Sequence, residues 1–198
     1  MIENVSRETQ DRLDAYQDLL IRWNPRINLV SPSTIPQLRS RHIDDCLQIC
    51  ANADPDKGIW ADLGSGGGLP GIVLAIAFAS RPIQFVLLES DQRKAAFLRS
   101  VVRQLGLSNT RIDNIRIEAR DPLDAAYLSA RALAPLPRLM PYLDRHLAKD
   151  GQAWLMKGEK WQAEVDEARQ HWKFELETIA SNTQAGAAIL KISEVSDA

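Results

Sequence analysis

The chain has 198 residues, 45% of them hydrophobic and 25% charged, with a formal net charge of −2. That length suits one substantial core and is short for two complete domains, and the composition excludes a largely disordered chain. The weakly acidic balance also excludes a protein that coats nucleic acid through overall positive charge, so any such partner must be met by a restricted surface.

No apolar run approaches the roughly 18 residues of a membrane span. Residues 1–4, Met-Ile-Glu-Asn, lack the basic start and apolar core of a signal peptide, so the expected location is the cytoplasm. Cys46 and Cys50 lie one helical turn apart, with no second Cys or His pair at zinc-like spacing, and read as structural thiols. His42, His146 and His171 are scattered, so no metal site is expected.

Ser6 can cap a helix that begins near Arg7. Leu13, Tyr16, Leu19, Leu20 and Trp23 then recur at helical spacing until Asn24-Pro25, which is expected to stop the helix. Ser31-Pro32-Ser33 reopens a helical signal, and residues 40–50 predict a helix carrying Arg41, His42, Asp44 and Asp45. Turn formers crowd 52–58, which marks a boundary between an N-terminal helical appendage, residues 1–57, and an α/β domain, residues 58–198.

Strands are predicted over 59–63, 84–88, 115–118, 126–130 and 152–156, with helices near 70–79, 91–105 and 136–147 between them. That alternation predicts a doubly wound, mostly parallel sheet with right-handed crossovers. A helix over 160–171 follows, and the runs 173–180 and 187–192 read as strands able to pair antiparallel at one sheet edge. Trp154, Trp161 and Trp172 read as packing residues, because no basic residues interleave with them.

The stretch Asp62-Leu63-Gly64-Ser65-Gly66-Gly67-Gly68-Leu69-Pro70-Gly71 stands between the first strand and the next helix. Strand, glycine loop and helix together aim backbone N–H groups and a positive dipole end at a ligand. The spacing is G-x-G-x-G, with Leu69 next, rather than the G-x-G-x-x-G of dinucleotide loops. Asp62 stands where a carboxylate could accept from a cationic amine, and Glu89, ending the second strand, could accept both hydroxyl hydrogens of a ribose. The plain structural alternative is a turn that only permits tight packing, with Glu89 a solvated strand-end acid.

The ten-residue stretch resembles the signature of the RsmG family, also called the glucose-inhibited division protein B family. Trp23-Asn24, Asn28-Leu29, Arg41-His42-Ile43 with Asp45, Leu87-Leu88-Glu89-Ser90, Phe97-Leu98, Arg131-Ala132 and Lys157-Gly158 agree in the same order. The resemblance implies a class I S-adenosylmethionine-dependent methyltransferase with a Rossmann-like, seven-stranded sheet. It also implies transfer of a methyl group to N7 of one guanine in 16S ribosomal RNA, in the small subunit or its assembly intermediate. Carried onto this chain, the cofactor contacts are Gly64 and Leu69, with Ile117, Glu118 and Arg131; Asp62, Gly66 and Glu89 join them from the loop reading. Two positions depart from the family: Ala126 where an Asp usually opens the fourth strand, and Cys46 where a serine is common.

Guanine N7 has a lone pair and no proton, so no catalytic base is assigned and positioning is the main demand. Arg131 could grip a carboxylate or phosphate in a fork. Arg41 and His42 could contact RNA phosphate or pair with Asp44 and Asp45 on the same helix. Arg93, Lys94, Arg99 and Arg103 give the 91–105 helix a basic face that could steer RNA, and Lys157 ends a strand on the loop side. The competing functions are a small-molecule methyltransferase, a nicotinamide-dependent oxidoreductase and a non-enzymatic RNA-binding module.

Overall fold

The computed structural model describes residues 6–198, so the leader reading on residues 1–4 lies outside the described residues. Seven strands form one sheet in the order β3-β2-β1-β4-β5-β7-β6. They are β1 (Gly58–Leu63), β2 (Ile83–Leu88), β3 (Thr110–Asp113), β4 (Ala125–Arg131), β5 (Leu147–Lys157), β6 (Trp172–Ala180) and β7 (Ala188–Asp197). β7 runs antiparallel to both β5 and β6, and the β1–β2, β1–β4, β2–β3 and β4–β5 pairs are parallel. The order reverses between β1 and β4, the place where open α/β sheets leave a crevice at their carboxyl ends.

Strand alternation sorts the core into two layers. Trp60, Phe85, Leu87, Trp154 and Met156 face one side, while Ala61, Leu63, Val86, Leu88, Leu128 and Leu155 face the other. The first side is covered by α1 (Arg7–Ile27), α2 (Asp44–Asn52), α3 (Gly71–Ala77) and α4 (Gln92–Leu105); the second by α5 (Leu136–His146) and α6 (Trp161–Ala168). Trp60 anchors the first layer, stacked on Phe78, Phe85 and Tyr127 at centroid distances of 5.1–5.8 Å.

Three expectations on local structure need correction. The first helix runs past Asn24-Pro25 to Ile27; Pro25 forgoes one bond, to the Ile21 carbonyl, and the helix ends within a turn of it. Asn24 then ends it: its Oδ1 accepts from the N–H groups of Leu29 and Val30, at 2.7 and 2.9 Å. The third strand is Thr110–Asp113 rather than 115–118. α4 stops at Gly106 in the left-handed conformation, and the chain returns at once to pair with β2, leaving 117–119 as a short 3-10 turn. The single helix expected over 40–50 is a π turn, Arg39–Ile43, running into α2.

The N-terminal segment rests directly on the glycine stretch. Tyr16, with no exposed surface, donates its hydroxyl to the Gly67 carbonyl at 2.6 Å, and a β-carbon at Gly67 would come within 3.3 Å of Leu29 Cβ. Tyr16→Phe leaves that buried carbonyl without its partner and is expected to cost about 1–2 kcal/mol. Urea unfolding followed by tryptophan fluorescence checks it; a change within error would mean the two segments are held together by apolar packing alone.

Candidate functional site

At the crevice between β1 and β4, Asp62 is wholly buried. Its Oδ1 accepts from the Ser129 hydroxyl at 2.7 Å, and Ser129 in turn accepts from the Trp60 indole N–H at 3.1 Å. Oδ2 has no hydrogen-bond partner among the described residues; it lies so near Gly71 that a β-carbon there would stand 2.5 Å away. Burial outweighs the Ser129 bond and pushes the Asp62 carboxyl up to about 6 from 3.8. The folded state therefore holds this proton more tightly than the unfolded chain, so the group favours folding less as pH rises through that interval.

Glu89 is also buried, and it clamps the loop. Its Oε2 accepts from Gly66 N–H at 2.8 Å and its Oε1 from Asp91 N–H at 2.7 Å. The alternative of a solvated strand-end acid is thereby excluded. Gly64, with φ +64°, lies under Leu133: a β-carbon at 64 would meet Leu133 Cδ1 at 2.5 Å. Gly66 has φ +55°, and a β-carbon there would meet only the Gly64 carbonyl oxygen, at 3.8 Å, which leaves room for a ligand to approach the backbone. Leu69 is 9% exposed and its side chain belongs to the core, which leaves its backbone to face the loop.

Arg131 ends β4 on the same face as Asp62 and Ser129, because side chains two apart on a strand share a side. It meets the N-terminal segment there. Its Nη2 donates to His42 Nδ1 at 2.7 Å and to the Arg41 carbonyl at 3.2 Å, Nη1 lies 3.6 Å from Cys46 Sγ, and the Asp45 carboxylate is 3.7 Å away. Thr34 donates its hydroxyl to the Ser31 carbonyl, so His42 Nε2–H donates to Thr34, leaving the Nδ1 lone pair for Arg131. Burial, then the Arg131 charge, lowers the imidazole to about 4. Burial pushes the Cys46 thiol up to about 12, so it stays protonated.

Of the two readings open for Arg41 and His42, the pairing with Asp44 or Asp45 does not form. Asp44 pairs with Arg39 at 2.8 Å, and Arg41 is exposed without an ion pair among the described residues. Asp45 is a junction instead: it accepts from Gln48, Ser181 and Thr183 and faces Arg131. Gln48 also accepts from Asn182 N–H at 2.7 Å, which fixes the β6–β7 turn beside the site. Between that turn and β4 and β5 lies a cleft of about 250 Å³ bordered by Asp45, Arg131, Met156, Gly158, Gln184 and Ile189.

Ile117 and Glu118 lie beyond β3 in the 3-10 turn, pinned by α5. His146 Nε2 donates to the Ile117 carbonyl at 3.1 Å, and Tyr142 donates to Glu118 Oε1 at 2.5 Å. That bond lowers the exposed Glu118 carboxyl below its usual range. Arg99 and Arg103 on α4 are exposed and in no ion pair among the described residues, whereas Arg93 pairs with Asp91, which caps the helix. Lys157, read as ending a strand on the loop side, borders the cleft, but alternation turns its side chain to the α5–α6 side, where it is 9% exposed, donates to the Ala134 carbonyl and pairs with Glu164. Ser129, Leu133 and Thr34 escaped sequence reasoning, and Asp45 was read only as a family match and a possible partner of Arg41 or His42. Ser129 alone carried a signal, a polar residue two places before Arg131 on one face of an otherwise apolar strand.

A seven-stranded sheet with one antiparallel strand, a glycine loop after β1 and an acid after β2 define the class I methyltransferase fold. A solved methyltransferase from Aquifex aeolicus, described as S-adenosylmethionine-dependent, superposes with a TM-score of 0.61 at 11% identity, covering 82% of this chain and 98% of that one. The chain belongs to the family described as rRNA small subunit methyltransferase G, whose pattern matches residues 9–190. Among curated relatives bearing that description, the protein of Paracoccus denitrificans is 56% identical over 190 residues, 96% of each chain. That of a Ruegeria species is 48% identical, covering 97% of this chain and 94% of its own.

His42 gives a pH test of the Arg131 junction. Its folded pKa lies below the unfolded value of about 6.5, so the contribution to stability is full above that pH and falls as pH drops toward 4. Nitrogen-15 NMR is expected to show a neutral Nε2–H imidazole down to pH 5, and titration near 6.5 would refute the contact.

Proposed function

We propose that this protein transfers a methyl group from S-adenosylmethionine to N7 of one guanine in 16S ribosomal RNA, acting in the cytoplasm on the small subunit or an assembly intermediate. The observation that carries the reading is the pairing of the Glu89-clamped glycine loop with an arginine-bordered cleft at one sheet crevice, in a chain of this family. Two features fit the cofactor: the partnerless Oδ2 of Asp62 and the room over Gly66, where a β-carbon would meet only the Gly64 carbonyl oxygen at 3.8 Å. Gly64, Gly66 and the Leu69 backbone would hold its amino-acid end, with Asp62 beneath; Glu89 would accept from its ribose, and Ile117 and Glu118 would border its base. When bound, the cofactor supplies a methyl group on a positively charged sulfur.

The chain's own part is orientation. N7 offers a lone pair and needs no proton removed, so rate depends on holding the base in line and keeping water away. The cleft is the proposed seat of the guanine. Met156 and Ile189 offer apolar surface to its ring, Asp45 and Gln184 offer polar groups to its edges, and Arg131 offers a fixed cation at the border with the loop. Arg131 can hold its place because His42 and the Arg41 carbonyl take two of its donor directions. In this reading the N-terminal segment is part of the site, since it furnishes Asp45 and steadies Arg131. The exposed Arg99 and Arg103 would meet phosphate as a local patch on a weakly acidic protein.

Labelled S-adenosylmethionine incubated with naked RNA, small subunits and whole ribosomes, followed by mass mapping of the modified base, tests the whole reading. Label on a single N7-methylguanine of 16S RNA is the expected product; unlabelled RNA in all three would defeat it. Gly64→Asp is expected to abolish cofactor uptake in calorimetry, because a side chain there meets both a positive φ and Leu133. Gly158 borders the cleft with nothing within 4 Å of its β-carbon position, so Gly158→Trp can fill the cleft without a clash. It should leave cofactor affinity unchanged and lower methyl transfer by about 100-fold or more; full transfer would place the guanine elsewhere.

A further inference from the structure

Lys157 and Glu164 form an ion pair at 2.8 Å whose side chains are 7% and 24% exposed. Both also bind backbone, and they bind the same short segment. Lys157 Nζ donates to the Ala134 carbonyl at 2.6 Å, and the Glu164 oxygen that meets Lys157 accepts from Leu136 N–H at 2.8 Å. Ala134 and Leu136 flank Pro135, which has no N–H to give, and α5 begins there without a side-chain cap from its own N-cap residue. The pair therefore takes the carbonyl before Pro135 and the N–H after it.

That segment joins the two halves of the site. It leaves Arg131, passes Ala132 in the left-handed conformation at φ +51°, and lays Leu133 over Gly64 before entering α5. A non-glycine residue at positive φ is sustained by its surroundings, and here the ion pair holds the segment a few residues downstream. Desolvation offsets much of the attraction in such a pair, so stability alone is a weak reason for it. Its two backbone bonds give it a geometric task. We propose that Lys157, with Glu164, is a positioning residue for the cofactor half of the site: it latches residues 131–136 so that Leu133 walls the loop at Gly64. This rests on the cofactor assignment made above.

The latch acts on the wall of the loop and touches no reacting atom. Loosening it should weaken cofactor binding before it affects transfer at saturating cofactor. Lys157→Met is expected to raise the dissociation constant for S-adenosylmethionine in calorimetry by about tenfold or more, and Lys157→Arg to restore it to within about threefold. Glu164→Gln keeps an acceptor for Leu136 and removes the charge facing Lys157, so an intermediate loss is expected, in a variant milder for folding. Amide exchange at Leu133 and Leu136 should rise in Lys157→Met whether or not cofactor is present. Unchanged affinity with unchanged exchange would overturn the proposal, as would a fall in kcat alone, which would mark Lys157 as a direct substrate contact. A wild-type protein that takes up no S-adenosylmethionine, while exchange in Lys157→Met still rises, would refute the proposed function and uphold the latch.

Discussion

A carboxylate sealed from water lies under the glycine loop, and much of the site follows from the need to accommodate it. Asp62 holds a charge or a proton in a place where an unpaired charge is costly, so its surroundings must supply donors. Ser129 on the neighbouring strand supplies one, itself oriented by the Trp60 indole, and this ties β1 to β4 where the strand order reverses. Glycine at 71 leaves room for the other oxygen against the start of α3. The loop is then closed from above by Glu89, which takes Gly66 N–H from the end of β2. One acid thus underlies the loop from inside the core, and the other pins its backbone from the end of β2.

The remaining half of the site depends on a segment distant in sequence. The π turn at Arg39–Ile43 closes with Asp44 N–H donating to the Arg39 carbonyl, and His42, Asp45 and Cys46 all reach Arg131. Such turns recur at functional sites because they re-aim side chains within an otherwise regular helix. Asp45 and Gln48 then reach across to the β6–β7 turn, so the border of the cleft is assembled from the N-terminal segment, the middle of the sheet and its antiparallel edge.

What the sequence disclosed and what it concealed divide along contact range. The loop spacing, Asp62 and Glu89 were legible because strand, turn and helix are local events with local residue requirements. The antiparallel edge was legible too, from two late runs separated by turn residues. The roles of His42 and Lys157 were not, since each depends on a partner far along the chain or on which face a strand end presents. Arg131 and His42 are 89 positions apart, and no spacing rule connects them. Asp62 was legible as an acid at a strand end but not as one wholly buried, because burial depends on distant segments such as α1, whose Tyr16 sits on the loop at Gly67. The third strand was misplaced since two neighbouring runs alternate alike, and only the position of Gly106 decides which pairs with β2.

The central claim is that the loop between the two acids is a cofactor cradle walled by the segment after β4. Hydrogen–deuterium exchange of the wild-type protein, with and without saturating S-adenosylmethionine, examines that placement residue by residue. The account predicts new protection confined to residues 62–71, 89–91, 117–119 and 131–136. Protection elsewhere, with those four segments unchanged, would contradict it.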